Sequence, residues 1–333
     1  MSEDFREAVL RQPENLRGGA QAFREAIADA DLGTLRRGTL VLGGIGASAH
    51  ALIPAMLELR AAGMRVFAVS TGELREDRAR ELGDAFVLVS QSGASVETLE
   101  ALTHVEGAPV VAVTANANSP LARAADVWLP LGPFTDTPVA TLSYTATLQA
   151  LGMLCDAVLQ RTGHERAWDR LPELAAGVLA HSDQLTREIA PGFATAHALD
   201  AVGGGHAQAT ARETALLGRE ALRLAATGME TREYLHGPME AVGPGFGCVV
   251  FGRERERRLS AELASFGAAV TLVSDSEGGD IDGVGVIRLP DVDRLAAPIL
   301  EILPVQLLVN HTAELRGLSI GELRRHQQDT KAS

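Results

Sequence analysis

The stretch AFVLVSQSGASVETLEALTH, residues 85–104, predicts a strand, a turn and a helix in succession. Its first five residues form a continuous apolar run, which is typical of a strand buried on both faces in a parallel sheet. After Ser95, apolar residues recur at three- and four-residue spacing, which predicts an amphipathic helix. A turn of small polar residues lies between the two. Such a strand–turn–helix unit indicates an α/β fold.

The same unit repeats along the first half of the chain. Helical stretches such as Ala49–Ala62 separate short apolar runs, and the long apolar segment Thr141–Arg161 closes the series. Apolar strands that alternate with helices predict a parallel sheet covered on both faces. The predicted strands are Leu40–Gly44, Arg65–Ser70, Ala85–Ser90, Val110–Thr114 and Val127–Leu131.

The pattern restarts after a helical connector at about Arg166–Ala190 and ends in a second long apolar helix, Leu295–Gly317. Between them we expect a helix at Arg212–Ala226 and the strands Ala198–Gly203, Gly247–Gly252, Val270–Asp275 and Val286–Pro290. Two units of similar length and order indicate a tandem duplication. The predicted fold is α/β, with two tandem domains that are each a three-layer αβα sandwich around a flavodoxin-like parallel sheet.

Five segments are expected along the chain, and two helices are expected in the first of them. The predicted bounds are 1–31 for an N-terminal helical segment, 32–162 for the first domain, 163–194 for a helical connector, 195–321 for the second domain and 322–333 for a polar tail or loop.

Composition narrows the function classes. The net charge of −13 and the lack of a basic stripe argue against a nucleic-acid partner. No apolar run is long enough for a membrane span, and the charged N-terminus has no signal-peptide core, so we expect a cytoplasmic protein. Cys155 and Cys248 lie far apart, outside any metal-ligand spacing. We therefore expect no metal and no cofactor.

The turn Ser90-Gln91-Ser92-Gly93-Ala94-Ser95 is the strongest candidate binding site. Hydroxyls and backbone N–H groups gather there at the positive end of a helix dipole, which suits a phosphate monoester without requiring a cation. The alternative is an ordinary serine N-cap with a glycine turn. An N-cap needs one such side chain and this turn supplies several, so phosphate binding is favoured.

A second glycine-rich turn, Gly43-Gly44-Ile45-Gly46-Ala47-Ser48, also joins a predicted strand to a helix. The third glycine of a dinucleotide fingerprint is missing, and no acidic residue ends the next strand to bind a ribose. A Rossmann cofactor site is therefore disfavoured. Close approach of this backbone to a sugar, with Ser48 as a hydroxyl ligand, fits better.

Candidate acid–base groups lie in the second half. Glu213 and Glu220 are seven residues apart, which places them on one helix face two turns apart, and Leu235-His236-Gly237-Pro238 follows. Each residue alone could be a solvated surface or loop group. Together they supply a carboxylate and an imidazole, which ring opening and enolisation both need.

Lys331 is the single lysine among 30 Lys and Arg residues. A primary amine can lose its proton or form a Schiff base, which a guanidinium cannot. On composition alone, two explanations of this lysine are open: a functional amine, or a lysine kept by chance in a tail that tolerates any residue.

These residues together resemble a known family. The serine turn, the Gly43–Ser48 turn, Glu213-x6-Glu220, Leu235–Pro238, the lysine near the C-terminus and Arg11-Gln12-Pro13 near the N-terminus are similar to the isomerase half of glucosamine-6-phosphate synthase. The resemblance covers essentially the whole chain and implies two tandem sugar-isomerase (SIS) domains. No glutaminase domain stands in front of the match, so we expect no amino-sugar synthesis from glutamine.

The resemblance implies a role for each matched residue. The phosphate would be held by Ser90, Gln91, Ser92 and Ser95. Ser48, Val139 and Glu213 would line the substrate site. Glu220 would move the proton between C1 and C2, and His236 would open the ring in the neighbouring subunit of a homodimer. Lys331 would lie on a C-terminal loop that closes over the substrate, which favours the functional explanation of this lysine.

Two departures put the synthase's own substrates in doubt, because Leu217 and Ser143 stand where the synthase has lysines. We therefore expect a phosphosugar aldose–ketose isomerase or deaminase for an amino- or ketohexose 6-phosphate, with glucosamine 6-phosphate as the first candidate. A fructosamine-6-phosphate deglycase needs the same residues. A non-catalytic sugar-phosphate sensor and an NAD-dependent oxidoreductase are the alternatives from other classes.

Overall fold

Two five-stranded parallel sheets form the framework of the part of the chain that the computed structural model describes, residues 4–28, 30–76, 78–132, 134–325 and 329–331. The first sheet has the order β2-β1-β3-β4-β5 and the second the order β10-β9-β8-β6-β7. The strands are Thr39–Gly44 (β1), Arg65–Ser70 (β2), Ala85–Val89 (β3), Val110–Thr114 (β4), Val127–Pro130 (β5), Ala198–Gly203 (β6), Ala225–Met229 (β7), Phe246–Phe251 (β8), Ala269–Ser274 (β9) and Val284–Arg288 (β10).

Both sheets have the flavodoxin-like order, which confirms the predicted α/β fold. The helices that connect and cover the strands are Phe5–Ala28 (α1), Ala47–Ala61 (α2), Val96–His104 (α3), Pro120–Ala124 (α4), Leu142–Val158 (α5), Glu165–Ala194 (α6), Ala207–Glu220 (α7), Thr231–Tyr234 (α8), Glu254–Ser265 (α9) and Ala297–Leu315 (α10). Short 3-10 helices span Gly33–Arg36, Glu73–Arg75, Ala79–Leu82 and Pro238–Ala241.

The described residues fall into two compact units. The sheet-1 unit comprises the described parts of residues 14–135, 142–172 and 324–333, and it contains the first sheet. The sheet-2 unit comprises those of residues 1–13, 136–141 and 173–323, and it contains the second sheet.

Apolar strands carry the core of each unit. In the sheet-1 unit all residues of β3 and β4 are buried, and Phe86 and Leu88 pack with Ala112 in one cluster. Full burial of a side chain such as Phe86 or Leu88 stabilises the fold by about 1.5–3 kcal/mol. The sheet-2 unit has a matching cluster that includes Val250 and Leu272.

The helices α5 and α10 close the two series and are apolar nearly all round, which is typical of helices inside a core. Despite this composition, neither these nor any other helix in the described residues is long and apolar enough to cross a membrane.

The prediction of two opening helices is wrong, because α1 is one continuous helix through Pro13. Its buried residues recur at helical spacing on both sides of this proline, as Val9, Leu16, Ala20 and Phe23 illustrate. Packing of this continuous apolar face outweighs the hydrogen bond that an internal proline removes.

The helix predicted at Arg212–Ala226 is also wrong at its end, because α7 stops at Glu220 and β7 begins at Ala225. Arg223 has a φ of +57°, a left-handed conformation that ends a helix. The Leu224 N–H donates back to the Gly218 carbonyl at 3.0 Å and turns the chain into the strand. The sequence prediction missed β7, which pairs with β6 in parallel.

Each sheet reverses its direction of winding between two central strands. In the first sheet this switch point lies between β1 and β3, and in the second between β6 and β8. Ligands of open α/β sheets bind beyond the carboxyl ends of the strands at such points. The turns that follow β1, β3, β6 and β8 are therefore expected ligand-binding positions of this fold.

Candidate active site

The serine turn, Ser90–Ser95, follows β3 at the switch point of the first sheet. Ser90 is 3% exposed, and its Oγ lies 3.1 Å from the Ser95 Oγ. Ser95 occupies the N-cap position of α3, but its hydroxyl accepts no hydrogen bond from the N–H groups of the helix. A simple N-cap therefore does not account for Ser95, whose hydroxyl lies against that of Ser90.

Gly93 gives the turn its shape. Its φ is +65°, and a Cβ atom at this position would lie 2.1 Å from the Ser119 Oγ and 2.8 Å from the Thr114 Oγ1. The Gly93 N–H donates to the Ser90 carbonyl at 3.0 Å. Only glycine combines this backbone conformation with such close packing.

Thr114 and Ser119 support the turn from outside, and sequence reasoning missed both. The Thr114 hydroxyl donates to the Gln91 carbonyl at 3.1 Å, and the Ala115 N–H donates to the same oxygen at 3.1 Å. Ser119 caps α4 through the Ala122 N–H. A buried threonine at the end of the strand beside the serine turn is the signal that could have indicated this support.

The C-terminal tail reaches the serine turn inside the sheet-1 unit. Lys331 forms an isolated antiparallel β-bridge with Ser95, and the Val96 N–H donates to the Thr330 carbonyl at 3.2 Å. Lys331 itself is exposed. The one lysine of the chain is thus placed next to the predicted phosphate site, although its sequence position lies far from that turn.

The turn after β1 lies beside the serine turn, because β1 and β3 are neighbouring strands. Ser48 is half-buried in the first turn of α2. A Cβ atom at Gly44 would lie 3.0 Å from the Ser48 carbonyl carbon, so this glycine allows α2 to approach the strand closely. Gly46, with a φ of +58°, makes the sharp turn into the helix.

Glu213 and Glu220 lie on α7 in the sheet-2 unit. Glu213 is fully buried, and Glu220 is the half-buried last residue of the helix. Burial and the negative charge of Glu213 raise the pKa of Glu220 to about 7. Leu217, one helical turn from each glutamate, is fully buried and adds no positive charge that would lower this pKa. A carboxyl with such a pKa can both take up and release a proton at neutral pH.

His236 lies on an exposed segment that directly follows a buried tyrosine, Tyr234, which holds it to the sheet. The buried Tyr234 donates its hydroxyl proton to Asp200 on β6 at 3.0 Å, and burial is the main reason that the pKa of Asp200 is raised. His236 is itself exposed, and its backbone N–H donates to the Glu233 carbonyl at 3.1 Å. Gly237, with a φ of +133°, then turns the chain into the 3-10 helix at Pro238.

Val139 lies in the loop before α5 and is fully buried. The Thr137 hydroxyl donates to the Val139 carbonyl, and the Thr141 N–H donates to Asp136 Oδ2 at 3.1 Å. This loop belongs to the sheet-2 unit. Since its side chain is inside the protein, Val139 would contribute to a ligand site through its backbone and by holding the loop in shape.

The predicted site residues thus lie in both units, and interactions within the described residues relate those of the sheet-1 unit to one another and Glu213 to Glu220. In the sheet-1 unit the fold brings together the serine turn, the Ser48 turn and the tail at Lys331. In the sheet-2 unit α7 carries Glu213 and Glu220 with coupled charges. His236 and Val139 belong to the same unit.

Known proteins are similar to this chain over most of its length. Glutamine–fructose-6-phosphate aminotransferase (isomerizing) of Thermococcus kodakarensis is 29% identical over 329 residues, which are 93% of this chain and 54% of that protein. The enzyme of the same name from Zymomonas mobilis is 29% identical over 317 residues, 89% of this chain and 52% of that protein. The chain therefore spans about half the length of the curated relatives that it matches.

Solved structures show the same fold. The C-terminal domain of glucosamine-fructose-6-phosphate aminotransferase from Francisella tularensis superposes with a TM-score of 0.84 at 21% identity, covering 95% of this chain and 97% of that one. Glucosamine-6-phosphate deaminase from Thermotoga maritima superposes with a TM-score of 0.77 at 21% identity, covering 99% of each chain.

The model of the SIS domain family matches residues 35–159, which contain the first sheet and the serine turn. The second sheet repeats the strand order of the first. The structural neighbours above match both halves together. Residues 35–159 match the SIS domain family, the second sheet has the same strand order, and the chain resembles the C-terminal domain of glucosamine-fructose-6-phosphate aminotransferase in fold.

Proposed function

We propose that this protein is a phosphosugar aldose–ketose isomerase or deaminase, with glucosamine 6-phosphate as its first candidate substrate. The observation that carries the proposal is the pairing of the tail at Lys331 with the serine turn at Ser95. A phosphate-binding turn and an amine then belong to one site. The names of the relatives and structural neighbours, which include a glucosamine-6-phosphate deaminase, agree with this substrate class.

The first SIS domain, proposed at residues 32–162, would hold the phosphate. Ser90, Ser92 and Ser95 supply hydroxyls, Gln91 supplies an amide, and the dipole of α3 adds partial positive charge. This neutral donor set suits a protein whose net charge is −13. Ser48 would bind a hydroxyl of the sugar from the neighbouring turn.

The second SIS domain, proposed at residues 195–321, and the tail at 322–333 would supply the chemistry. His236 would open the sugar ring. Glu220, as the carboxylate, would take the C2 proton of glucosamine 6-phosphate to give an enolamine and would return the proton to C1. Water would then add to the resulting C2 imine, and ammonia would leave to give fructose 6-phosphate. The pKa of Glu220, about 7, suits both proton transfers.

The proposal includes a homodimer with shared sites. The exposed position of His236 in its own chain supports it, because a catalytic histidine with no enclosure in its own subunit can act in a neighbouring one. The resemblance to the synthase isomerase domain assigns the same role to the matching histidine.

Fructosamine-6-phosphate deglycase activity is the second candidate. Removal of an amino acid from C1 of a fructosamine 6-phosphate uses the same proton transfer between C1 and C2. Leu217 and Ser143, which stand where the synthase has lysines, favour a substrate other than the synthase's own pair. The two activities are separated by their released product, which is ammonia from one substrate and an amino acid from the other.

Proton NMR of the purified protein with glucosamine 6-phosphate in D2O, together with an ammonia assay, tests the proposal. We expect loss of the C2 proton signal, release of ammonia and appearance of fructose 6-phosphate. The matched pair of variants is Glu220→Gln, which should lose turnover, and Glu262→Gln at an exposed position of α9, which should keep it. If the substrate stays unchanged, with no ammonia released and no deuterium at C2, the amino-hexose assignment fails, and fructosamine phosphates are assayed next.

A non-catalytic sensor makes a different prediction. It would bind glucosamine 6-phosphate through the serine turn, and Glu220→Gln would leave that binding unchanged with no turnover by the parent protein. An NAD-dependent oxidoreductase would bind nicotinamide nucleotides in titration calorimetry. Either result would overturn the proposed function.

A further inference from the structure

A cavity of about 410 Å³ opens at the switch point of the second sheet. Its lining comes from the end of β9, from the residues that follow β6, β8, β9 and β10, from His206 and Ala207 at the start of α7, and from the first turns of α10. All of these residues belong to the sheet-2 unit. The volume lies in the range of small-molecule sites, and the position is where open α/β sheets bind ligands.

The lining differs in chemistry from the serine turn of the first sheet. The position after β8 matches the serine turn in strand order, yet it presents Gly252 and Arg253 in place of serines. Arg253 and Arg294 carry positive charge, and Asp275 and Glu301 carry carboxyl groups. Asp275 and the neighbouring Asp291 both accept hydrogen bonds from Arg253, so they offset the positive charge that a phosphate dianion would need.

The charged groups are held in defined geometry. The Arg253 guanidinium donates to both carboxylate oxygens of Asp275, from Nε at 2.8 Å and from Nη2 at 2.6 Å, and Nη2 also reaches Asp291 at 3.3 Å. Within the described residues its Nη1 amino group makes no hydrogen bond, which leaves two donors of the five for a ligand. Asp275 is mostly buried, at 22% exposed, whereas Arg253 is 64% exposed.

Glu301 supplies the second carboxyl group. It is half-buried on α10, and Thr210 donates its hydroxyl proton to it at 2.6 Å. Burial is the main cause that raises its pKa to about 7. A cationic group of a ligand placed here would favour the ionised form and gain a charge-assisted hydrogen bond.

The remaining wall of the cavity is apolar. Val273 and Leu300 are almost fully buried, and Leu289 and Val292 are half-buried beside them. A ligand that matches the whole lining needs one anionic group, one cationic group and an apolar part.

We propose that this cavity binds a small apolar α-amino acid, with its carboxylate at Arg253 and Arg294, its ammonium at Asp275 and Glu301, and its side chain against Leu289 and Val292. The site is separate from the serine turn, and the proposal does not depend on the sugar-phosphate function. Bound amino acid stabilises the sheet-2 unit by mass action, because the site does not exist in the unfolded chain.

Titration calorimetry of the full chain with L-leucine tests the assignment. We expect saturable binding at one site per chain with a Kd of about 1 mM or lower, together with a concentration-dependent rise of Tm. Two chemical controls remove one charge each: L-leucinamide lacks the carboxylate, and 4-methylpentanoate lacks the ammonium. Each should bind at least about tenfold more weakly, since a hydrogen bond to a charged group is lost.

Arg253→Gln and Glu301→Gln should each weaken L-leucine binding at least about tenfold. Arg288→Gln is the matched control, because Arg288 also pairs with a surface aspartate, Asp280, but does not line the cavity. Circular dichroism shows whether each variant folds. If Arg253→Gln does not fold, Glu301→Gln alone tests the proposal.

Three results would overturn the proposal. The first is no saturable heat with L-leucine up to about ten times the expected Kd. The second is equal binding of L-leucine, L-leucinamide and 4-methylpentanoate, or binding that neither Arg253→Gln nor Glu301→Gln changes. The third is binding of D-glucose or inorganic phosphate that depends on Arg253 while L-leucine does not bind.

Discussion

Lys331 pairs through its backbone with Ser95 in an isolated antiparallel bridge. The neighbouring Thr330 carbonyl accepts a hydrogen bond from the Val96 N–H, which belongs to the first residue of α3. The tail is therefore attached to the end of the helix where the serine turn gathers its hydroxyls. In the proposed mechanism, an amine at this position would contact a sugar whose phosphate occupies the turn.

Lys331→Ala is expected to lower kcat on glucosamine 6-phosphate at least about 100-fold, because the proposed mechanism loses its only primary amine near the substrate. KM should change less, since the serine turn is untouched. Steady-state kinetics with an ammonia assay measure both constants. Arg325→Ala removes an exposed tail cation and serves as the control, with kcat close to that of the parent.

Lys331→Arg separates two explanations of the same loss. A guanidinium keeps the charge but does not give up its proton. Restored turnover in this variant would assign Lys331 a purely electrostatic role, whereas a loss equal to that of Lys331→Ala would require the amine. Turnover that neither substitution alters would contradict a catalytic role for the tail.

Gly93→Ala is expected to weaken binding of glucosamine 6-phosphate more than tenfold and to lower the free energy of unfolding by about 2–4 kcal/mol. The added Cβ would meet the Ser119 Oγ at 2.1 Å in a backbone with positive φ. Titration calorimetry and urea denaturation measure the two effects.

Gly107→Ala is the matched control for Gly93→Ala. Gly107 also has a positive φ, +82°, but a Cβ there would have no atom within 4 Å. This variant should lose about 1 kcal/mol from backbone strain alone and should keep its affinity for the ligand. Equal effects of the two substitutions on affinity would show that the packing of Gly93 does not shape the binding turn.

The pH dependence of turnover should report Glu220. Its pKa is raised to about 7 by burial and by Glu213, and the proposed base acts as the carboxylate. We therefore expect kcat/KM to rise with pH and to level off above about 7. Glu213→Gln removes the repulsion, so the pKa of Glu220 should fall and the rise should move to lower pH. If Glu213→Gln leaves the pH profile of kcat/KM unchanged, the inferred effect of the Glu213 charge on the pKa of Glu220 is wrong.

Stability should also depend on pH through Glu301. Its pKa in the folded protein, about 7, is higher than its ordinary value of 4.5, so the folded state holds a proton that the unfolded state releases. The free energy of unfolding contributed by this group is full below pH 4.5 and falls as pH rises to about 7. Glu301→Gln removes this loss, so its advantage over the parent protein in urea denaturation should grow between pH 5 and pH 8.

A constant difference between Glu301→Gln and the parent across this range would contradict the raised pKa. Glu262→Gln, at an exposed site, is the control and should show no pH-dependent difference. L-leucine is left out of these measurements, because an ammonium ligand would favour the ionised form of Glu301.

The hydrophobic pattern predicted both sheets except for the edge strand β7. Strands β2, β4 and β6 have the predicted bounds because each is a short apolar run between polar turns. β7, Ala225–Met229, was missed because it consists mainly of small residues and follows the helix α7 after only a few residues. The left-handed Arg223 that separates the two has no signature in the sequence, since arginine seldom adopts this conformation.

Candidate site residues could be proposed from the sequence where local chemistry is unusual. Several hydroxyls in one strand-to-helix turn indicated the serine turn, and the resemblance to a known family indicated the tail lysine. The supporting residues Thr114 and Ser119 were not indicated, because their contacts depend on how neighbouring strands and turns pack. The cavity beyond β8 was not indicated either, since Arg253, Asp275 and Glu301 are ordinary surface residue types that only the fold brings together.

The proposal of active sites shared between subunits can be tested with heterodimers. These are formed by co-expression of two chains that carry different affinity tags, and their turnover is measured. A heterodimer of a Glu220→Gln chain and a His236→Ala chain has one site with both wild-type residues if each site takes its glutamate and its histidine from different subunits. Turnover should therefore return, although each homodimeric variant is inactive. A heterodimer of a wild-type chain and a chain with both substitutions should be inactive, because each of its shared sites lacks one residue. If Glu220 and His236 of the same chain form the site, the two heterodimers exchange results, and the proposed role of the exposed His236 in a neighbouring subunit is wrong.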